Sequence, residues 1–334
     1  MLTATTVDSL IDHLPERIDA LICCASFEKR SAIVPNLLAE RAPAQVLCFR
    51  VEEFAQRSAQ TWKSLKFART SKIENINVPY FDQLEAGRVF IAKLRKLEEL
   101  PEASIVVDIT TFTHEHLLIA LKLLIQFAKQ ESKLHFVYVG AGEYSVGEST
   151  ANKWLSRGVL GVRSVLGYAG YFNPSKRLRF VGLSGFETAR MLALVEKYQP
   201  HRILLGRSSA SGAIDRVHYP VNVHCHDLLR QTLRGVEEFE FDAKDSMRMV
   251  RRLRSLLGDD ETWNTVLAPL STKLSTLGAG IYSIRNPGIR ICYAPVLEYN
   301  FSSYATVGEK AYVFSITPHG LRGSLRRPAG EIAR

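Results

Sequence analysis

The chain has 334 residues, 46% of them hydrophobic and 23% charged, the balance of an ordinary globular protein. That excludes a disordered chain, a collagen and a disulfide miniprotein, and the length suits two ordinary domains or one large one. The net charge of +9 is concentrated: residues 151–180 carry Lys153, Arg157, Arg163, Lys176, Arg177 and Arg179 with no acidic residue, and 317–334 carry Arg322, Arg326, Arg327 and Arg334 against Glu331. Localised positive charge points to a polyanionic partner more than diffuse charge does.

The predicted elements run in two similar series. A helix near 6–13 precedes a buried strand at 19–24, and a helix at 29–40 contains Pro35. A strand at 45–51, a long helix at 52–69, a strand at 73–78 and a helix at 83–99 follow. The first series ends with a strand at 104–108, a helix at 115–130 and a strand at 134–139. The second has a strand at 179–183, a helix at 188–198, and strands at 202–205 and 238–241. It closes with a helix at 246–257, a strand at 265–267, a helix at 274–284, a strand at 289–294 and an additional edge strand at 311–316. Near-continuous apolar strands alternating with helices imply parallel sheets covered on both faces.

The two series also match in residues. Ile22-Cys-Cys-Ala-Ser-Phe-Glu28 lies against Val181-Gly-Leu-Ser-Gly-Phe-Glu187, and Val106-Val-Asp-Ile-Thr-Thr111 against Val266-Leu-Ala-Pro-Leu-Ser271. Tyr138-Val-Gly-Ala-Gly-Glu-Tyr144 lies against Tyr293-Ala-Pro-Val-Leu-Glu-Tyr299. Three blocks in one order at nearly one offset indicate duplication. The expected fold is α/β, two duplicated Rossmann-like units with mainly parallel sheets. The division is unit one at 1–144, a basic aromatic connector at 145–178, unit two at 179–316 and a basic flexible tail at 317–334.

Cys23, Cys24, Cys48, Cys225 and Cys292 form an odd set without a CxxC pair, mostly inside apolar runs. They read as small core residues in a reducing compartment, so a cytoplasmic location is expected. Residues 1–16 lack the basic segment of a signal peptide. The longest apolar stretch, 117–127, is broken by Lys122 and Gln126, so no membrane partner is expected.

Open parallel sheets bind ligands beyond the carboxyl ends of their strands. In unit one that edge carries Ser26, Glu28, Arg30, Asp108, Thr110, Thr111, Thr113, Gly140, Glu143 and Tyr144; in unit two it carries Gly185, Glu187, Arg190, Ser271, Thr272, Lys273, Glu298 and Tyr299. Small residues let backbone approach a ligand, and helix N-termini offer N–H groups to anions. Neither strand-to-helix turn is GxGxxG, and there is no P-loop. Read as a strand, His224-Cys-His226-Asp227 would place two imidazoles on one face, but no second ligand group lies at metal spacing, and His114 and His116 open a helix without sharing a face. No resident metal or cofactor is therefore expected.

Ser271-Thr272-Lys273 offers hydroxyls, backbone N–H groups and an ammonium between a strand and a helix, a set suited to phosphate. It resembles the Thr-Lys turn of the CARF domains, Rossmann-like sensors of cyclic oligonucleotides, and the paired units resemble the related SAVED domains. In unit one Phe112-Thr113 falls where Thr272-Lys273 aligns. The resemblance implies ligand contacts at Ser271, Thr272 and Lys273 and at the Ser26 and Gly185 turns. It also implies a sensing rather than catalytic protein of a prokaryotic defence system, acting through a partner effector protein. The leading expectation is thus a nucleotide or other phosphate-bearing ligand, neutralised by Lys273, Arg30, Arg190 and connector cations. Two rivals use the same residues: a hydrolase or transferase employing the cleft carboxylates, with Mg²⁺, and an assembly subunit that binds nucleic acid through 151–180 and the tail.

Overall fold

The computed structural model describes residues 2–146, 153–258 and 262–322. In chain order the first half contains β1 (Leu2–Thr6), β2 (Ala20–Ala25), α1 (Ile33–Leu38), β3 (Gln45–Val51), α2 (Ala59–Ser64), β4 (Lys72–Val78), α3 (Gln83–Leu94), β5 (Ser104–Asp108), α4 (His114–Phe127) and β6 (Lys133–Tyr144). Two short strands, β7 (Ser156–Val159) and β8 (Arg163–Ser164), lie in the connector. The second half contains β9 (Arg177–Leu183), α5 (Thr188–Tyr198), β10 (Arg202–Ser208), α6 (His218–Thr232), β11 (Val236–Phe241), α7 (Ser246–Leu257), β12 (Trp263–Pro269), α8 (Lys273–Arg285), β13 (Arg290–Tyr293), β14 (Val296–Tyr299), β15 (Ala305–Ile316) and α9 (Pro318–Arg322).

The duplication is written in the topology. The first sheet runs β1-β15-β6-β5-β2-β3-β4, and the second β11-β10-β9-β12-β13-β8. Within each, the five strands of the repeat take the same order, 3-2-1-4-5, and pair in parallel. This is a Rossmann-like arrangement, with a switch point between β2 and β5 in one half and between β9 and β12 in the other.

The last strand departs from the expected division. β15 is not an edge of the second unit; it lies between β1 and β6 and pairs antiparallel with both. The second half therefore reaches back to complete the sheet of the first. The connector is likewise part of the fold: β7 pairs with β14 and β8 with β13. The start of the expected flexible tail is ordered as α9, where Leu321 is fully buried and Arg322 donates to the Ile125 carbonyl at 2.9 Å. Residues 323–334 lie outside the described residues.

Two expected helices are much shorter. The region 29–40 is a turn of 3₁₀ helix followed by α1. In 52–69 the chain makes one 3₁₀ turn and then α2, because the Glu53 carboxylate reaches away to accept the backbone N–H groups of Tyr80 and Phe81. One helix was missed. Residues 218–232 form α6, which puts His224 and His226 on different faces.

One hydrophobic core runs through both halves, with Ile22, Phe49 and Leu118 from the first joined to Phe180, Leu267 and Leu277 from the second. A smaller cluster covers the other face of the first sheet. Helix α4 is apolar around most of its circumference because it sits between its own sheet and α8. Gly280 allows that approach: a Cβ there would stand 2.7 Å from a Leu121 methyl and 2.8 Å from one of Leu118. The packing of α4 on α8 brings their N-termini together, and with them the carboxyl ends of both sheets.

Candidate functional site

Four turns meet at this junction, two from each switch point. The turn after β2 carries Ser26, Phe27, Glu28 and Arg30, and the turn after β9 carries Gly185, Phe186 and Glu187, followed by Arg190 on α5. Gly185 is required by contact, since a Cβ would sit 2.2 Å from the Leu270 carbonyl oxygen of the turn after β12. The turns after β5 and β12 each end in a threonine N-cap. Thr113 accepts from the His116 N–H at 3.1 Å, and Thr272 accepts from the Ser275 N–H at 3.0 Å.

The caps correct the expected alignment by one residue. Thr113 matches Thr272, so the counterpart of Lys273 is His114, not Thr113. This is the offset of 159 that already relates Glu28 to Glu187. His114 was missed as a site residue, although that offset pointed to it.

Two small chambers, of about 50 and 90 Å³, lie between the turns and share Glu28, His114, Glu187, Lys273 and Tyr304 in their walls. A larger vestibule of about 1110 Å³ opens beyond them, lined by Phe27, Glu28, Lys29, Arg57, Tyr144, Phe301 and Tyr304 among others. Ligand sites are commonly about 300–1,000 Å³, so the vestibule has room for a small organic molecule and the chambers for one of its groups. Aromatic rings form the passage. Phe27 lies 4.9 Å from Phe301 and 5.6 Å from Tyr304, and Tyr304 lies 6.0 Å from Tyr299. Arg57 stands over the Phe301 ring at 5.4 Å.

The charges are arranged in pairs with one left over. Arg30 binds the Glu28 carboxylate and donates to the Val139 carbonyl at 3.0 Å. Arg190 binds Glu187 at 2.6 Å and donates to the Ala294 carbonyl at 2.8 Å. Ser156 also donates to Glu187. Both guanidiniums are buried, yet they remain charged because a carboxylate faces each. Lys273 has no hydrogen bond or ion pair among the described residues. Burial pushes its ammonium down to about 8, with Arg30 and Arg190 opposing and the two glutamates supporting the charge. Below that pH the chamber walls hold two carboxylates, two guanidiniums and one ammonium, which leaves one positive charge unbalanced. Desolvation and the nearby Lys273 and Arg190 hold His114 well below the ordinary imidazole range, so it is neutral.

Most expected site residues line this space. Ser26, Thr111, Thr113, Arg190 and Tyr299 border the smaller chamber, and Arg30, Thr110, Tyr144, Gly185, Ser271 and Thr272 border the larger. Four expected residues lie outside the two chambers. Asp108 is buried and folded onto its own turn, where Oδ1 accepts the Thr110 N–H at 3.0 Å; burial raises its carboxyl to about 6. Gly140 lies under β15, close to the Lys310 carbonyl, and borders none of the chambers. Glu143 is exposed and reaches only the vestibule. Glu298 is exposed on β14, away from the chambers. The residues not foreseen are His114, Phe27, Phe301, Tyr304, His218 and Asn222. The last two come from α6, whose helical character was not read.

The connector cations are only partly available to a ligand. Arg163 pairs with buried Glu115 at 2.6 Å and donates to the carbonyls of Tyr80 and Phe81, and Arg179 is buried and bonded to Thr265. Lys153 does face the vestibule. His226 is held by Ser184 at 3.0 Å and Glu238 at 3.1 Å, outside the chambers. Among the described residues no group of three or more His, Cys, Asp or Glu is placed to hold a metal ion. No described helix is long and apolar enough to cross a membrane.

Comparison with known proteins adds little. No protein-family model and no curated protein matches the chain. Among solved structures, human N-acetylserotonin methyltransferase in complex with SAM aligns at 10% identity over 39% of this chain and 33% of its own, with a TM-score of 0.24. Phosphoethanolamine N-methyltransferase 1 of Haemonchus contortus aligns at 9% over 78% and 72%, with a TM-score of 0.25. An rRNA methylase from Streptococcus thermophilus aligns at 13% over 40% and 68%, with a TM-score of 0.22. The chain thus spans a third of the length of the human enzyme, and scores this low carry no argument about activity.

Proposed function

We propose that this protein binds a phosphate-bearing, nucleotide-class ligand in the cleft between its two Rossmann-like halves. The observation that carries the reading is Lys273, an ammonium without a partner among the described residues at the N-terminus of α8, in a chamber whose other charges are paired. An anion placed there gains a charge-assisted hydrogen bond and the helix dipole. The aromatic passage supplies faces on which a base can stack. The resemblance of Ser271-Thr272-Lys273 to the CARF turn favours the same ligand class, and a signal passed to a separate effector protein goes with it. The cleft is lined by turns of both halves, so a ligand there touches both and can report its presence through their shared packing.

An acid–base reading has one observation of its own. A lysine held near 8 and a neutral imidazole share a chamber, the pairing a transferase or hydrolase would use. The carboxylates are less suited to metal-assisted hydrolysis, since each is engaged by an arginine of its own turn. The test is thermal stabilisation by the ribonucleoside mono- and diphosphates and cyclic dinucleotides, followed by chromatography of the recovered ligand. Stabilisation that disappears in Lys273→Met but persists in Lys129→Met, an exposed control, supports the proposal. Equal stabilisation of both variants overturns it, and a converted ligand makes the protein an enzyme.

A further inference from the structure

A second surface stands apart from the cleft chambers. Between Phe54 and Ile73 the chain carries Arg57, Lys63, Lys66, Arg69 and Lys72 and no acidic residue. The segment leaves the carboxyl end of β3, forms α2 and returns as β4 beside the amino end of β3, where Lys72 is level with Gln45. It therefore descends the full height of that strand, about 20 Å. Its inner side is fixed. Trp62, Leu65 and Phe67 pack on the smaller hydrophobic cluster. Asn36 holds the turn after α2, donating to the Ser64 carbonyl at 3.1 Å and accepting the Lys66 N–H at 2.6 Å. Lys63, Lys66, Arg69 and Lys72 are exposed between these anchors, and none has an ion pair or side-chain hydrogen bond among the described residues. Of the flanking acidic residues, Glu53 accepts the N–H groups of Tyr80 and Phe81, and Glu74 is held by Lys93 and Lys96, which leaves Glu52 as the one counter-charge.

We infer that this ridge is a docking surface for the phosphate backbone of duplex DNA, held without reading its sequence. Four unpaired cations on one anchored segment suit a polyanion, and each phosphate they neutralise releases counterions. The ridge spans a little more than half of a duplex turn of about 34 Å. A single strand is the poorer fit, because proteins that hold one stack its bases on exposed aromatic rings. Here Trp62 lies under the Arg50 guanidinium at 5.0 Å and Phe67 packs inward, so the ridge offers cations alone. The basic partner surface expected at 151–180 moves accordingly. Arg163 and Arg179 of that stretch are bonded within the fold, whereas the cations of the ridge are not.

Fluorescence anisotropy of labelled DNA duplexes of about 20 base pairs, titrated between about 50 and 200 mM salt, tests it. In wild-type protein log affinity should fall with log salt at a slope of about −3.6, the value for four neutralised phosphates. The double variant Lys66→Gln with Arg69→Gln should flatten the slope by about 1.8 and weaken binding by about tenfold or more. Arg251→Gln with Arg254→Gln removes the same charge from exposed positions of α7 and should leave slope and affinity nearly unchanged. Melting curves establish that both double variants are folded. Lys273→Met should bind the duplex as wild type does, so this inference and the proposed function fail separately. Equal weakening by the two double variants would reduce the effect to net charge and overturn the inference. Tighter binding of the single strand than of the duplex, a strong preference for one duplex sequence, or no binding at the lowest salt would each overturn it as well.

Discussion

The two halves share strand order, N-caps and a buried glutamate–arginine pair, and they differ in what the first helical residue after the cap presents. In the second half it is an unpaired ammonium, and in the first a neutral imidazole tied to the opposite helix. Duplication thus preserved the scaffold that closes the cleft, while the position facing the cavity diverged. The conserved pair is structural on this view: each arginine binds its carboxylate and a backbone carbonyl. The diverged pair carries the recognition.

The largest effects should come from breaking the shared scaffold. Glu28→Ala and Glu187→Ala each leave a buried guanidinium without its partner, and loss of one member of such a pair costs about 3–5 kcal/mol. Chemical denaturation should show both. Glu187→Ala should cost the more, since it also frees Ser156, a brace that Glu28 lacks. Equal stability of either variant and wild type would mean that the pairs are not what holds the turns.

Next comes the diverged position. Lys273→Met should weaken phosphate-ligand binding by about 10- to 100-fold, the worth of a charge-assisted hydrogen bond, without loss of folding. His114→Lys makes the halves alike. It should raise affinity for nucleoside diphosphates over monophosphates, measured by competition, if the imidazole is what limits the first half to a neutral group.

The pH dependence of stability separates two buried groups of opposite kind. Lys273 is near 8 when folded, below an unfolded lysine, so the unfolded state binds the extra proton between about pH 8 and 10.4. Stability should therefore rise with pH across that window, and Lys273→Met should remove the rise. Asp108 is near 6 when folded, above an unfolded aspartate, so the folded state holds the extra proton between about pH 4 and 6. Stability should fall with rising pH there, and Asp108→Asn should flatten that limb. The smallest effects belong to Glu298→Gln and Lys129→Met, both exposed, which should stay within about 0.5 kcal/mol in stability and leave binding unchanged.

Much of this was legible in the chain. The buried parallel strands announce themselves as apolar runs, and the repeated Phe-Glu turns and Ser-Thr-Lys stretch lead to the cleft because parallel sheets place their turns at one edge. What was lost depended on non-local or local competition. β15 looks like any amphipathic strand, and only the tertiary fold sends it back between β1 and β6. α6 was obscured by Pro220 and its histidines, whose polarity hides the helical period. The long helix expected at 52–69 fails because Glu53 finds better partners in Tyr80 and Phe81. The one-residue misalignment at Thr113 arose from matching strand residues, whereas the caps set the register of the helices.

The measurement that bears most directly on the account is the affinity of a ribonucleoside monophosphate at pH 7 and at pH 9.5, taken by calorimetry on wild type and Lys273→Met. The phosphate is dianionic at the higher pH and largely so at the lower, so a fall with pH reports the ammonium. The account predicts at least a tenfold loss of affinity at pH 9.5 in wild type and weak, nearly pH-independent binding in Lys273→Met. Equal affinity at the two pH values in wild type, or the same profile in both proteins, would contradict it.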